Sequence, residues 1–192
     1  GLRHSDYKAI EGFDDFETSN KGVLLELKNL IFKRNTRTIL SIKDLTFCYG
    51  NIIGIVGENG IGKSTLAKII CGLYKENKGK ILKDDENLNI KSRLNESLLI
   101  MQEVNYQLFT DSVKDEVVLT SNIKGDNALD TWLKDMELKN ISDRNPHTLS
   151  GGQKQRVIIL YALLSDKKIL FFDEPTSGLD YRNMKIVAKN IK

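Results

Sequence analysis

The chain has 192 residues, which fits one domain with or without a tail. Hydrophobic residues make up 40% of it, which excludes global disorder, and the net charge of +3 is too small to indicate a nucleic-acid-binding protein. The two cysteines, Cys48 and Cys71, lack metal-ligand spacing and are predicted to be buried thiols in a reducing cytosol.

The first third of the chain predicts a tail followed by strands. Residues 1–22 are polar and irregular, as expected of a linker or tail. Val23 to Leu30 alternates apolar and polar residues and predicts a half-buried strand, and Thr38 to Tyr49 predicts another after a turn at Asn35-Thr36. Asn51 to Val56 is almost continuously apolar and predicts a buried strand.

The rest of the chain alternates helices with short apolar strands. The helix that follows Val56 is predicted to bury Leu66, Ile69, Ile70 and Leu73 on one face. In chain order the predicted elements are a helix at Lys63–Leu73, a strand at Ser97–Met101, a helical block at 111–139, a helix at Gly151–Leu164, a buried strand at Lys167–Phe172 and a helix from Asp180. Such alternation predicts an α/β fold with a mainly parallel core sheet, and the polar block at about 103–150 predicts a separate helical lobe.

The most informative motif is Gly57–Thr65, which fits the phosphate-loop pattern G-x-x-x-x-G-K-[ST]. Its glycines allow several backbone N–H groups to point into one hollow, while Lys63 can reach the outer phosphates and the Ser64 hydroxyl can bind Mg²⁺. The alternative, a glycine-rich turn that binds nothing, is disfavoured by the strand before it and the helix after it. The expected nucleotide contacts here are Gly57, Glu58, Asn59, Gly60, Ile61, Gly62, Lys63, Ser64 and Thr65.

A second motif, Lys168–Pro175, delivers two carboxylates to the end of a predicted buried strand. Ligands collect at that edge of an open α/β sheet. Asp173 is expected to hold Mg²⁺ through its water shell, and Glu174 to accept a proton from an attacking water. The alternative is an ordinary acidic strand end, which the neighbouring phosphate loop makes a poor explanation.

A third motif, Leu149–Gln153, has the sequence Leu-Ser-Gly-Gly-Gln. Ser150 can cap the following helix, and Gln153 completes a capping-box pattern. Gly151 and Gly152 bare the backbone at the helix end, where an anion is favoured. The alternative is a helix that is capped and nothing more, but two glycines are costly in a first helical turn.

Together these motifs resemble the nucleotide-binding domain of ATP-binding cassette (ABC) proteins, over about Val23 to Lys192. The resemblance implies a P-loop NTPase core, an antiparallel β subdomain and an α-helical signature subdomain, with ATP and Mg²⁺ as cofactors. Leu149–Gln153 corresponds to the family's signature, which binds the γ-phosphate of a nucleotide held by the opposite domain. The implied catalytic residues are Glu174, Gln102 and Lys63, the implied metal ligands are Ser64, Gln102 and Asp173, and the implied further nucleotide contacts are Ser150, Gly151, Gly152, Gln153 and Asp180.

Residues 102–117 are similar to the Q-loop region of energy-coupling factor transporters, which import vitamins and transition-metal ions. The resemblance implies a transmembrane transporter subunit as partner, with Leu108 and Phe109 as docking contacts unless they belong to the lobe's own core. No apolar run approaches the roughly 18 residues of a membrane helix. A cytoplasmic protein, peripheral on the inner face of the cell membrane, is therefore expected.

Two family features are not found where the resemblance would put them. The family's γ-phosphate-contacting histidine lies beyond the last residue given, and His4 and His147 do not correspond to it. This predicts an incomplete cassette that binds nucleotide but hydrolyses it slowly or not at all. The adenine-stacking aromatic is replaced by Arg34, which leaves three readings: Arg34 covers the base, Phe32 shifts in, or Phe32 is core and adenine is weakly held.

The leading functional hypothesis is the ATP-hydrolysing subunit of a membrane importer, paired with a second ABC domain in a homo- or heterodimer and not with nucleic acid. One alternative is a soluble ABC ATPase that acts on nucleic acid or ribosomes, although only 47 residues separate Gln102 from Leu149, too few for a long coiled-coil insertion. A second alternative is a nucleotide-binding domain without catalysis. Residues 1–22 could also join this cassette to an earlier one in a fused protein.

Overall fold

The computed structural model describes residues 22–119, 121, 123, 126–177 and 179–191. The predicted tail at 1–22 lies outside these ranges except for Gly22. Two sheets organise the described residues, one antiparallel and one parallel, and both pack against helices.

The antiparallel sheet has four strands in the order β2-β1-β3-β4. The strands are β1 (Val23–Arg34), β2 (Arg37–Cys48), β3 (Lys78–Lys83) and β4 (Glu86–Asn87). Leu27 in the centre of β1 pairs with Leu45 on one side and with Ile81 on the other. The predicted turn at Asn35-Thr36 is confirmed, and Asn35 adopts the left-handed backbone (φ 55°) that such a tight turn requires.

The core under this sheet is closed by helix α1 (Lys63–Ile70). Leu66, Ile69 and Ile70 are buried as predicted, but Leu73 is 52% exposed, so its placement on the buried face is wrong. The cause is Gly72, whose φ of 76° ends the helical path. A Cβ at that position would lie 2.8 Å from the Ile90 carbonyl oxygen, so the turn is also tightly packed.

The parallel sheet consists of β5 (Ser97–Ile100) and β6 (Ile169–Phe172), in register from Ser97 beside Ile169 to Ile100 beside Phe172. This pairing joins segments about 70 residues apart and gives the α/β core that the alternation of elements predicts. All four residues of β6 are half-buried, so the prediction of a fully buried strand is wrong. The reason is that β6 has a hydrogen-bonded neighbour on one edge only among the described residues.

The predicted strand at Asn51–Val56 is wrong, because this segment pairs with no other strand in the part of the chain that the structure describes. Ile52 and Val56 are 64% and 75% exposed, while Ile53 and Ile55 face Leu45, Phe47 and Leu66. An apolar run specifies burial, but a strand also needs a neighbour that accepts and donates its backbone hydrogen bonds. Only one side of this segment is covered among the described residues.

Among the described residues, the helical lobe contains two α-helices and three 3-10 turns, and its core also includes apolar residues of the helix that begins at Gly151. Leu129, Leu133 and Met136 are buried together as predicted, and so are Val113 and Val117. Val118, which the same prediction grouped with them, is exposed. The helices and 3-10 turns described after β4 are α2 (Ile90–Glu96), the turn Val104–Gln107, α3 (Val113–Val118), α4 (Asp126–Asp135), the turns Lys139–Ile141 and Pro146–Thr148, α5 (Gly151–Leu163) and α6 (Tyr181–Ile191).

The two thiols differ in their surroundings. Cys71 is buried as predicted, and burial raises the pKa of its thiol. Cys48 is half-buried, so the prediction of burial fails there. Among the residues described, none of the helices reaches the length and hydropathy that a bilayer span requires.

A buried arginine ties α2 to the C-terminal end of α1. Arg93 Nη1 donates to the Ile69 carbonyl at 2.8 Å, and Nη2 donates to Glu76 Oε2 at 2.9 Å. Both charged side chains are largely removed from water. The guanidinium also lies at the negative end of the α1 dipole, where a cation is favourable.

We expect Arg93→Met to lower the free energy of unfolding by about 3 kcal/mol, because it leaves the Glu76 carboxylate without its buried partner. Urea denaturation followed by circular dichroism measures this loss. Arg182→Met is the matched control, since it removes an exposed ion pair with Glu137 and should lower the free energy of unfolding much less. Equal losses in the two variants would contradict a special role for the buried pair.

Candidate nucleotide-binding site

The loop Gly57–Gly62 leads directly into α1 and is built on left-handed glycines. Gly57, Gly60 and Gly62 have φ of 154°, 82° and 112°, and Gly62 is the N-cap of α1. A Cβ on Gly62 would lie 3.1 Å from Leu40 Cδ1, so both the backbone angle and the packing favour glycine there. Residues 57–61 are exposed, which leaves the backbone of the loop open to a ligand.

Lys63 spans this loop from the first turn of α1. Its Nζ donates to the Gly57 carbonyl at 2.7 Å and to the Glu58 carbonyl at 3.0 Å. The first turn of α1 contains no acidic residue, so the positive end of the helix dipole faces the loop without a carboxylate to compensate it. Phosphate oxygens, which carry full charge, bind an ammonium more strongly than neutral carbonyls do. The donor set therefore fits a phosphate group.

The parallel strands bring Gln102 and Glu174 together. Gln102 Nε2 donates to Glu174 Oε2 at 3.0 Å, across 72 residues of sequence. Asp173 N–H donates to the Ile100 carbonyl at 2.8 Å, which extends the strand pairing to the residue before Glu174. Glu174 has φ of 50°, an uncommon angle for a residue with a side chain and one that occurs at functional sites.

Two of the predicted metal ligands, Asp173 and Ser64, are half-buried, whereas Gln102 is exposed beside Glu174. Mg²⁺ takes one or two protein oxygens and completes its shell with phosphate and water oxygens. A carboxylate and a hydroxyl that are both partly accessible fit that demand. The described side chains do not include a group of three or more His, Cys, Asp or Glu residues arranged to hold a metal by themselves.

The helix tip at Ser150 forms the predicted capping box. Ser150 N–H donates to Gln153 Oε1 at 2.9 Å, and Gln153 N–H donates to Ser150 Oγ at 3.4 Å. A Cβ on Gly151 would meet nothing within 4 Å, so the backbone is open at this position. A Cβ on Gly152 would lie 3.1 Å from Asn183 Nδ2, so the second glycine also allows α6 to pack closely, a role that the sequence did not indicate.

Asp180 lies at the start of α6, where its Oδ1 accepts a hydrogen bond from Asn183 N–H at 2.8 Å. It therefore acts as an N-cap, a role that accounts for its residue type without a ligand. Among the described residues, neither Asp180 nor the capping box forms a hydrogen bond with the phosphate loop, and the expected nucleotide contacts of this half of the site remain predictions.

An aromatic stack bears on which residue could contact the adenine base. Phe32 lies parallel to Tyr74, with ring centroids 5.5 Å apart and an interplanar angle of 4°, and it packs against the core of the antiparallel sheet. Phe32 is half-buried against that core, which agrees with its interpretation as a packing residue, and weak binding of adenine stays a prediction. Arg34, at the end of β1, is exposed and remains available to a base.

The segment after Gln102 buries one predicted docking residue and exposes the other. Leu108 is buried in the core of the lobe, so its prediction as a docking contact is wrong, whereas Phe109 is 76% exposed. Tyr106 is 75% exposed and was not anticipated. The sequence alone does not show whether an aromatic residue in this loop has an exposed ring or a buried one.

A buried carboxylate holds the backbone that carries Phe109. Glu116 Oε2 accepts from Phe109 N–H at 2.8 Å, from Thr110 N–H at 2.9 Å and from Thr110 Oγ1 at 2.9 Å. Glu116 is fully buried between Val113 and Val117. The sequence signal that could have revealed this role is the position of Glu116 on the apolar face of α3, because a charge on such a face needs buried hydrogen-bond partners.

A glycine loop on a helix N-terminus, together with a glutamine and two carboxylates beyond the ends of two parallel strands, defines a nucleotide-binding domain of the phosphate-loop class. A model of the ABC transporter family matches residues 40–177. The chain belongs to the ABC transporter family. Its α/β fold, with a P-loop NTPase core, an antiparallel β sheet and helices, is the fold that the sequence predicts.

Several proteins of this family are similar to the chain. It is 41% identical to an ABC transporter ATP-binding protein of Treponema denticola, over 93% of this chain and 36% of that protein. It is 37% identical to the energy-coupling factor transporter ATP-binding protein EcfA1 of Mycoplasma mobile, over 88% of this chain and 66% of that protein. Among solved structures, cbiO1 of Clostridium perfringens, part of the ABC transporter complex cbiONQ, matches with a TM-score of 0.73 and 29% identity, over 88% of this chain and 72% of that one.

The first relatives are much longer than the region they share with this chain. The chain spans 36%, 34% and 41% of the lengths of the first three relatives.

We expect Lys63→Ala to weaken ATP binding by roughly tenfold to a hundredfold, because a hydrogen bond to a charged group contributes about 1.5–3 kcal/mol. Titration with a fluorescent ATP analogue measures the change. Lys68→Ala is the control, since Lys68 lies on the same helix but sits over the Tyr74 ring. If both lysine variants bind ATP as the unaltered chain does, the loop is not the phosphate site.

Proposed function

We propose that this chain is the ATP-binding and ATP-hydrolysing domain that drives a membrane importer. The observation that carries the proposal is the contact between Gln102 and Glu174, at the strand ends where ligands collect in α/β folds. The phosphate loop supplies the nucleotide site, and the family supplies the reaction class. Within the chain, residues 23–192 form the proposed cassette, with a helical lobe at about 103–150.

In the proposed reaction, a water oxygen attacks the γ-phosphorus of ATP and the bond to the β–γ bridging oxygen breaks. Glu174 takes the proton that the water loses, and Gln102 orients the water and the carboxylate. ADP leaves with the bridging oxygen, and the proton passes from Glu174 to phosphate or solvent. Lys63 and the N-terminus of α1 stabilise the charge on the phosphates. Mg²⁺, held by Asp173 and Ser64, would neutralise charge on the transferred group.

The helix tip at Ser150 is proposed to act on a nucleotide held by a second ABC domain. The capped N-terminus of α5 combines a helix dipole, an open Gly151 and a hydroxyl, which suits an anion. Two such domains would sandwich two ATP molecules, so that ATP closes the pair and hydrolysis opens it. The greater length of several relatives is compatible with a second cassette in the same polypeptide.

We further propose that the 192-residue chain hydrolyses ATP slowly by itself. The support is the segment Asn51–Val56, which leads into the phosphate loop with no strand paired to it among the described residues and with Ile52 and Val56 exposed. Because the segment before the phosphate loop is unpaired, the loop is less rigidly held. Phosphoryl transfer depends on accurate positioning of the phosphates, so a less rigid loop slows hydrolysis.

The membrane partner is proposed to dock at Phe109 and Tyr106, the exposed aromatics beside the Q-loop. The similarity to EcfA proteins and to cbiO1 favours an importer of vitamins or metal ions over a soluble ABC ATPase on ribosomes or nucleic acid. In this proposal the chain is cytoplasmic and lies peripherally on the inner face of the membrane. The net charge of +3 gives no support for a nucleic-acid partner.

We expect Glu174→Gln to bind ATP–Mg²⁺ with unchanged affinity but to hydrolyse it at least roughly a hundredfold more slowly, because a general base contributes about 10²–10⁴-fold. Phosphate release measures hydrolysis, and light scattering after size exclusion tests whether ATP–Mg²⁺ drives this variant into dimers. Asp166→Asn, a change to an exposed acid before β6, is the control for a general loss of charge. Undiminished hydrolysis in Glu174→Gln would refute the assigned base, and persistent monomers would refute the sandwich.

We expect Phe109→Ser to weaken capture of the membrane subunit by about 2 kcal/mol, since exposed aromatics at the centre of an interface carry much of its energy. Membranes of the source organism, extracted in detergent and passed over the immobilised chain, provide the assay. Leu94→Ser, at an exposed apolar residue of α2, is the control. Capture of ribosomal proteins in place of a membrane protein would favour the soluble alternative.

A further inference from the structure

The strand that leads to Gln102 has a side chain on its second edge in place of a strand. Gln107 Oε1 accepts a hydrogen bond from Met101 N–H at 2.8 Å, and Gln107 Nε2 donates to the Leu99 carbonyl at 2.8 Å. One side-chain amide thus forms the same pair of bonds that a neighbouring peptide would form. Gln107 is the last residue of the 3-10 turn Val104–Gln107, so the chain folds back on its own strand.

The two edges of β5 are satisfied by different partners. On one edge, the Ile100 carbonyl accepts from Asp173 N–H at 2.8 Å, in line with the pairing of β5 with β6. The groups of Leu99 and Met101 that bond to Gln107 belong to the other edge, because backbone groups alternate along a strand. The end of β5 is therefore held between the residue before Glu174 on one side and Gln107 on the other.

Gln102 follows immediately after the peptide that Gln107 holds. Its Nε2 reaches Glu174 Oε2 at 3.0 Å, and it is exposed, so packing does little to fix its direction. The direction of its Cα–Cβ bond depends on the backbone at Met101, which the amide of Gln107 holds. Loss of that bond would let the backbone at 101 and 102 turn and separate the Gln102 amide from the Glu174 carboxylate.

We propose that Gln107 is a positioning residue for the proposed hydrolysis, and that it acts by holding the backbone at Met101 so that the Gln102 amide meets Glu174. The inference rests on the proposed function for its kinetic consequence but not for its geometry. Gln107 touches neither nucleotide nor water in this role. Because it lies between Tyr106 and the buried Leu108, it also connects the exposed aromatic segment to the catalytic pair.

The geometric part is tested by NMR on the isotopically labelled chain without nucleotide. In Gln107→Met, which keeps the side-chain length and removes both polar atoms, amide hydrogen exchange at Met101 should accelerate at least roughly tenfold. The Gln102 side-chain NH₂ resonances should move to the positions that they take in Glu174→Ala, which removes their acceptor. Asn105→Ala is the control, since it removes a bond from the same turn to Lys154 Nζ and leaves β5 untouched.

The kinetic part is tested by a double-mutant comparison. Gln107→Met should lower kcat by roughly tenfold to a hundredfold with little change in KM, as expected when a catalytic group is misplaced. The same change should have little further effect in a Gln102→Ala background, because its action runs through Gln102. Additive losses would instead show that Gln107 acts through general stability.

The outcomes separate the two proposals. If the Gln102 resonances do not respond to Gln107→Met, the positioning role is wrong, whatever the enzyme does. If they respond but the unaltered chain binds and hydrolyses no ATP, the positioning geometry stands and the proposed function fails. If they respond and kcat falls as much in the Gln102→Ala background as in the unaltered one, the catalytic consequence is overturned.

Discussion

The parallel pairing of β5 with β6 is the constraint on which the candidate site depends. It joins two segments that are far apart in the sequence and places the residues after both strands at one edge of the sheet. Gln102 and Glu174 are exposed, so burial of their side chains does not bring them together. The backbone hydrogen bonds that align Ile100 with Phe172 and Asp173 place them next to each other.

The phosphate loop depends on a different support. Its helix, α1, is fixed by apolar packing against the antiparallel sheet and by Arg93 at its C-terminal end. The segment before the loop contributes less, because Asn51–Val56 packs on one side only among the described residues. The helix therefore holds the loop more firmly than the preceding chain does, and Lys63 bridges two of the loop's carbonyls.

Much of this arrangement follows from the sequence, and the exceptions have physical causes. Alternation predicted β1, the turn at Asn35-Thr36 separated it from the predicted β2, and the capping-box pattern predicted the start of α5, because all three depend on local geometry. The strand at Asn51–Val56 failed because strand formation needs a partner that a hydrophobic run does not reveal. Leu108 failed because neighbouring apolar residues on a non-helical loop point in opposite directions, and the sequence does not show which one faces the core. Glu116 and Gln107 were missed because each binds backbone groups, whose location depends on the folded path of the chain.

The helix cap at Ser150 uses the hydroxyl group as an acceptor and does not use its hydrogen. A serine hydroxyl has two lone pairs and one hydrogen, and the cap draws on a lone pair, since Oγ accepts from Gln153 N–H. The same hydroxyl can therefore stabilise the first turn of α5 and donate a hydrogen bond to an acceptor outside the helix. A threonine would retain this dual service, whereas an aspartate in the same cap would wind the turn equally well and repel any anion that approached it.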